Sequence, residues 1–566
     1  MRIWIPLTVL LFGGAAMAQT TQPAEVPRYG LFETAIDLDG QFDTVSFDNP
    51  FRDVILTATF TAPSGATVKV EGFYDGQRTW RVRFVPREEG KWKYSISAAN
   101  AARPIQLAQP AKGEGTFECK GTAGRGFLRL SKRNAFRMEY EDGTPFYPIG
   151  IQTCGFLRPD FDGPGPDGKW RNVDNEEWLK AFAGAVNLVR TQFGQGTRAG
   201  CALALIPEPP KPATAPASAS APAPVRPPID RYDLDLAKRI DEAYKLHRQA
   251  GMSQILILYQ DMSLWGGGGS GFGGGRDLTP KGYKNLQAAN LPMQEQYIRY
   301  IVARWGAFVD IWELFNEDSY APDDYLAHLA GVVRKADPYG HITTTNYARP
   351  RADWCQVVTF HEYMGMPPNQ VDAYLCQLFA LYKSYGKVVQ NTEFGNQGQL
   401  SNYDPVKWRI AVWTAFMNEC GLLFWGMSGS KVAAGRPNAQ GNANAYIGPD
   451  SRQHFRVLNE FTRDLPIDLR PVAIGYHEHT DIRTYAMCNG RVGAVYVHHF
   501  ADHAKEYQHR DKLMMHTGPG KWRLRWIDPA DGREVKAEEA STTAQYLEFR
   551  LPPVKVDLAA RLEKVE

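Results

Sequence analysis

A surplus of charge is the first thing this 566-residue sequence lacks: 64 Lys and Arg against 62 Asp and Glu leave a formal net charge of +2. Without a field of one sign there is no general electrostatic pull toward nucleic acid or an anionic membrane, so neither is an expected partner. Cysteine is sparse. The seven thiols at 119, 154, 201, 355, 376, 420 and 488 form no C-x-x-C pair, which argues against a zinc knuckle and a disulfide-dense scaffold and leaves one or two bridges open. Past the N-terminus no run of about 18 uncharged apolar residues occurs, so no membrane-spanning helix is expected. Several motifs are missing too. The glycine run at 266–275 lacks G-K-[ST], His361-Glu362-Tyr363 lacks the second His of H-E-x-x-H, and no G-x-S-x-G elbow is present. A phosphate loop, a zinc-protease site and a barrel esterase or lyase are thereby disfavoured, and no metal or organic cofactor is expected.

What is present is aromatic: 14 Trp, 26 Tyr and 28 Phe. Such rings fill cores, and on a polar surface their faces suit the apolar faces of sugars. At about 150 residues per domain the length allows roughly three to four domains. Met1-Arg2, the apolar run from Ile3 to Phe12 and Ala16-Met17-Ala18 before Gln19 have the layout of a secretory signal peptide over 1–18. Export, to the periplasm or beyond the cell, is the expected localisation.

Residues 27–122 alternate apolar and polar side chains in short segments such as 54–60, 68–76, 78–86 and 90–98, the rhythm of a β-sandwich. A hairpin around Asp142-Gly143 comes next. Between 127 and 467 the pattern becomes strand and helix in turn. Strands are expected at 146–152, 187–193, 254–260, 309–317, 341–347, 357–363, 388–394 and 421–427, with helices near 233–250, 292–305, 322–336, 371–385, 404–418 and 451–464. Eight such repeats imply a closed parallel (β/α)8 barrel, in which only the link between strands five and six is too short for a helix. A Pro/Ala-rich insertion at 207–228 and the Gly-rich run at 266–275 each come after a strand, which places them on the carboxyl face where substrate loops are built. Strand patterns return over 470–566, a second small β-domain. His477, His479, His498 and His499 fall there and read as surface or strand histidines.

In a barrel of this kind chemistry sits where strands end. Glu317 closes the fourth strand and Glu393 lies near the end of the seventh, so the two would face each other across the mouth. A strand-end glutamate alone can be a cap or an ion-pair partner. An opposed pair supplies what cleavage of a glycosidic bond requires: one carboxyl protonated for the leaving oxygen and one ionised for the anomeric carbon.

The segment from about 145 to 465 resembles the clan A glycoside hydrolases, the retaining TIM-barrel enzymes that include the family-five cellulases and mannanases. The matching residues are Asn316-Glu317, Glu393 in TEFG, His361-Glu362-Tyr363, Arg190 in NLVR and Trp425 in LLFWG. The resemblance implies that Glu317 is the acid/base and Glu393 the nucleophile of a double displacement on a β-linked poly- or oligosaccharide. It further implies that Asn316 bonds the sugar 2-hydroxyl, that Tyr363, with His361 on the same side, donates to the nucleophile, that Arg190 keeps it ionised, and that Trp425 is the stacking floor. Trp265, beside the glycine loop, is a second stacking candidate. The N-terminal segment is similar to the immunoglobulin-like domain of unknown function that precedes many bacterial barrels of this type. The near-zero charge suits a neutral glycan. The alternative is a non-catalytic carbohydrate-binding protein on a hydrolase-like barrel.

Overall fold

A computed structural model of the chain describes residues 23–38, 49–100, 104–105, 113–153, 162–164, 166–167, 169–172, 175–192, 231–260, 280–317, 321–363, 365–395, 404–425, 447–476, 481–508 and 512–565. The signal-type segment 1–18, the insertion 207–228 and the glycine run 266–275 lie outside the described residues.

Eight parallel strands form the central sheet: β1 (Ile149–Thr153), β2 (Leu188–Gln192), β3 (Ser253–Gln260), β4 (Ile311–Asn316), β5 (Ile342–Thr344), β6 (Val357–Glu362), β7 (Val388–Phe394) and β8 (Cys420–Phe424). The ladder runs β5-β4-β3-β2-β1-β8-β7-β6. This is a nearly closed TIM-type barrel. Its one seam without a ladder, between β5 and β6, is bridged by hydrogen bonds: Gln356 N–H donates to Thr343 O (2.9 Å), Thr344 Oγ1 to Val357 O (2.7 Å) and Thr359 Oγ1 to Thr345 O (2.8 Å). At the β1 crossing Gly150 is required, since a Cβ there would meet Leu423 Cγ at 2.4 Å.

The helices are α1 (Asn175–Phe182), α2 (Leu234–Gln249), α3 (Pro280–Trp305), α4 (Asp323–Ala336), α5 (Val371–Lys383), α6 (Pro405–Met417) and α7 (Pro449–Thr462). Two differ from the sequence expectation. α3 starts well before 292, because Pro292, a residue that suits a helix start, sits inside it. α1 has no counterpart in the expected helices; it is short, and Trp178 stacks on Phe182 along it with centroids 4.8 Å apart.

The expected hairpin is a three-stranded meander (Leu128–Leu130, Met138–Tyr140, Pro145–Phe146). Its turn uses Gly143 at φ 86° and a 2.9 Å bond from Gly143 N–H to Tyr140 O. Phe146, expected in the first barrel strand, belongs to this meander; the barrel strand begins after Pro148, which has no amide to donate. Leu128, Met138 and Phe146 pack against one apolar residue from each of seven barrel strands, including Leu188, Ile311 and Val388 at the strand starts. The amino end of the barrel is thus plugged, which leaves the carboxyl end for chemistry.

Before the barrel, two antiparallel-rich sheets face each other over Phe32, Phe60, Phe84, Trp92 and Phe117. In the strand Thr79–Phe84, Trp80, Val82 and Phe84 enter that core, while Arg83 on the opposite face is buried against the barrel. There Arg83 and Arg304 share Asp241 of α2, and Arg304 also reaches Asp75 (2.9 Å). After the barrel, six- and three-stranded sheets enclose Trp522, Leu524, Trp526 and Phe549. Arg409 of α6 pairs with Asp557 at 2.8 Å across that junction, and Asp372 of α5 accepts from His498, Arg483 and Tyr485. His498 and His499 are accordingly buried strand residues. The five described cysteines are all free. No helix among the described residues is long and apolar enough to cross a membrane.

Candidate active site

Strand irregularities aim the side chains of the site. β6 and β7 pair with a register shift between Phe360 and His361, and β7 and β8 with one between Asn391 and Phe394. An extra residue in a strand rotates the side chains beyond it, and here the shifts bring His361 opposite Glu393. Glu317, one residue beyond β4, has a left-handed backbone (φ 50°). For a non-glycine residue that conformation costs about 1–3 kcal/mol and recurs at functional sites. The Glu317 N–H donates to Asn346 Oδ1 at 3.3 Å, which holds the turn.

Three side chains converge on the two glutamates, and a fourth, Asn316, joins through Arg190. Glu317 Oε1 accepts from His361 Nδ1 at 2.8 Å, and the same nitrogen lies 3.5 Å from Glu393 Oε2. Tyr363 donates its hydroxyl proton to Glu393 Oε2, and Arg190 NH1 lies 2.6 Å from Glu393 Oε1. Asn316 Oδ1 accepts from Arg190 NH2 at 2.7 Å. One oxygen of Glu317, one of Glu393 and a His361 nitrogen all lie within 4.8 Å of one another. The two carboxylates differ in setting: the Glu317 side chain is 36% exposed and that of Glu393 only 4%.

Two partners of Arg190 were not among the sequence candidates. Glu313, on β4, grips the guanidinium with both oxygens (Nε to Oε2 2.8 Å), and Gln152 of β1 accepts from NH1. Their signal is readable in principle. A charged residue inside a strand that is covered on both faces must find a partner, and Glu313 sits in the middle of WELFNE. Burial alone would push the Arg190 pKa down, but the Glu313 and Glu393 carboxylates outweigh it and hold the pKa above its ordinary value. The His361 hydrogen bond lowers the Glu317 pKa, against an upward push from burial, with smaller help from the charges of His361 and Arg190.

One guanidinium therefore faces three carboxyl groups, Glu313, Glu317 and Glu393, and the pocket favours positive charge. Glu317, His361 and Glu393 are the described residues whose donors come close enough to share a metal ion. Their donor atoms are already engaged, by Tyr363 and Arg190 on Glu393 and by the imidazole on Glu317. With those atoms taken, the set fits a hydrogen-bonded carboxyl pair better than a metal centre.

Of the sequence candidates, Arg190, Asn316, Glu317, His361, Tyr363 and Glu393 form one connected cluster. Trp425 comes directly after β8 and is tied to β7 by its N–H on Phe394 O (2.9 Å). Trp425 is 3% exposed. Trp265 lies outside the described residues.

Comparison with known proteins gives a consistent architecture. The family model for a domain of unknown function, DUF5060, matches residues 25–99. No curated protein sequence matches the chain. Among solved structures, the chain is similar to a protein from Bacteroides vulgatus assigned provisionally to the glycoside hydrolases, at 17% identity and TM-score 0.64 over 96% of this chain and 100% of that one. It is also similar to a second glycoside hydrolase (12% identity, TM-score 0.50, 78% and 97% covered) and to a family 5 glycoside hydrolase from Bacteroides vulgatus (15%, 0.48, 78% and 93%). The chain thus carries a DUF5060 segment before a barrel, and at these identities what it shares with the first two of these structures is the fold.

Proposed function

We propose that the protein is an exported glycoside hydrolase that cleaves a neutral, β-linked poly- or oligosaccharide with retention of configuration, with Glu393 as nucleophile and Glu317 as general acid and base. The observation that carries this reading is the opposed glutamate pair, whose nearest oxygens lie within 4.8 Å. Retaining enzymes hold their carboxyl groups about 5–5.5 Å apart, whereas inverting ones leave about 6.5–9.5 Å for a water. The buried Glu393, fixed by Arg190 and Tyr363, suits attack on the anomeric carbon. The half-exposed Glu317 suits exchange of a proton with the leaving oxygen and then with water. A pocket with more carboxylates than cations stabilises the oxocarbenium-like transition state. Asn316, at the edge of the cluster, is the group assigned to the sugar 2-hydroxyl.

The acid must carry a proton, and the His361 hydrogen bond works against that. Bound sugar would strip water from the exposed side of Glu317 and raise its pKa, and the imidazole has Glu393 Oε2 at 3.5 Å as a second acceptor. Replacing His361 by Ala removes a donor to the charged carboxylate, so the basic limb of the kcat/KM profile should move to higher pH; an unmoved limb would contradict the pairing. The reaction class itself is tested by proton NMR of the first-formed product on a screen of plant, algal and bacterial β-glycans. The β anomer is expected first, and the α anomer would mean inversion.

A further inference from the structure

We propose that Tyr347 is the stacking platform for the leaving-group sugar, in a subsite beside Glu317; the proposal rests on the hydrolase reading above. Five large hydrophobic residues are exposed among the described residues: Ile55, Tyr347, Leu381, Tyr385 and Tyr546. Ile55 and Tyr546 belong to the flanking β-domains, and Leu381 and Tyr385 lie at the carboxyl end of α5, which leads to the amino end of β7. Tyr347 alone among them comes after a barrel strand, β5, at the carboxyl end, and the residue is 48% exposed.

Its neighbour fixes where it stands. Asn346 is fully buried, with Oδ1 on the Glu317 N–H and Nδ2 3.4 Å from Thr359 Oγ1. The residue that presents the ring is therefore covalently next to the one that holds the Glu317 turn. Arg349 secures the other side of the segment: NH1 donates to Tyr347 O (2.6 Å), NH2 to Ala321 O (3.2 Å) and Nε to Asp323 Oδ1 (2.8 Å). The segments after β4 and β5 are tied together, so the ring is mounted on a braced support.

The chemistry gives the platform its occupant. Glu317 protonates the glycosidic oxygen, and the other substituent on that oxygen is the departing sugar, which must lie alongside Glu317. β5 is the strand next to β4, and Asn346 ties the segment after β5 to the Glu317 turn, so the platform stands beside the acid. The C–H face of a neutral pyranose packs on an aromatic ring without needing a charge, and the exposed phenol ring supplies that surface.

The test uses cellohexaose, mannohexaose and xylohexaose with the β-fluorides of the corresponding disaccharides, whose leaving group carries no sugar. Tyr347→Ala should lower kcat/KM on the cleaved hexaose about tenfold, mainly through KM, and Tyr347→Phe should stay within about twofold. Both variants should hydrolyse the matching fluoride as the wild type does. An unchanged hexaose rate in Tyr347→Ala, or equal loss on hexaose and fluoride, would overturn the platform. A wild type that cleaves none of the probes but binds a hexaose more tightly than Tyr347→Ala would keep the sugar platform and overturn the hydrolase reading. Absence of both turnover and binding would overturn both.

Discussion

Replacing Glu393 by Gln is expected to abolish turnover, with a fall in kcat on the order of 10⁴ to 10⁶ while glycan binding persists. The substitution keeps the shape of the side chain and an oxygen for Arg190 or Tyr363, and removes only the charge that attacks the anomeric carbon. Glu393 is almost fully buried and held at both oxygens, so a neutral replacement has no second carboxylate at hand in the same place. The check is steady-state hydrolysis beside calorimetric binding of the same oligosaccharide. A wild-type protein that binds glycans and never releases reducing ends would favour the carbohydrate-binding alternative instead.

The second large effect is on stability. Asp241→Ala should destabilise the folded protein by about 3–5 kcal/mol, measured by urea unfolding, because it removes the carboxylate that two buried cations share. Asp241 accepts from Arg83 NH1 (2.9 Å) and NH2 (2.8 Å), from Arg304 Nε (3.1 Å) and NH2 (2.7 Å), and from Trp305 Nε1 (2.8 Å). Burial pushes the Asp241 pKa up, but Arg83 and Arg304 outweigh it and hold it below the ordinary aspartate value. The stabilisation is therefore fully present above the unfolded aspartate range, about pH 4, and is lost as pH falls through the depressed folded value. At the exposed pair Lys512–Glu548 (2.8 Å) the corresponding Glu548→Ala change should cost less than about 1 kcal/mol. Equal losses at the two sites would contradict the view that Asp241 fastens the N-terminal domain to the barrel.

The barrel was legible because its strands are short apolar runs separated by helices of period 3.6, and both patterns survive in a single sequence. The glutamates were legible for a related reason. Glu317 and Glu393 stand at or near strand ends, where an apolar run stops and a carboxylate has no reason to be unless it caps or reacts. The hidden features depend on geometry that periodicity does not carry. The register shifts at Phe360/His361 and Asn391/Phe394 leave no mark in composition. Arg83 alternates with the core residues Val82 and Phe84 in its strand, yet its partner Asp241 lies 158 residues away. Glu313 stands away from the strand ends where barrel chemistry is expected, although a buried carboxylate at mid-strand is the stronger anomaly. Pro292 concealed the start of α3.

The most direct test of the assignment is a trapping measurement. A 2-deoxy-2-fluoro glycoside with an activated leaving group slows both steps, because fluorine destabilises the oxocarbenium-like transition state, but the good leaving group still departs and the glycosyl-enzyme accumulates. Peptide mass spectrometry should then place one sugar on Glu393. A label on Glu317, or steady hydrolysis with no covalent adduct, would contradict Glu393 as the nucleophile.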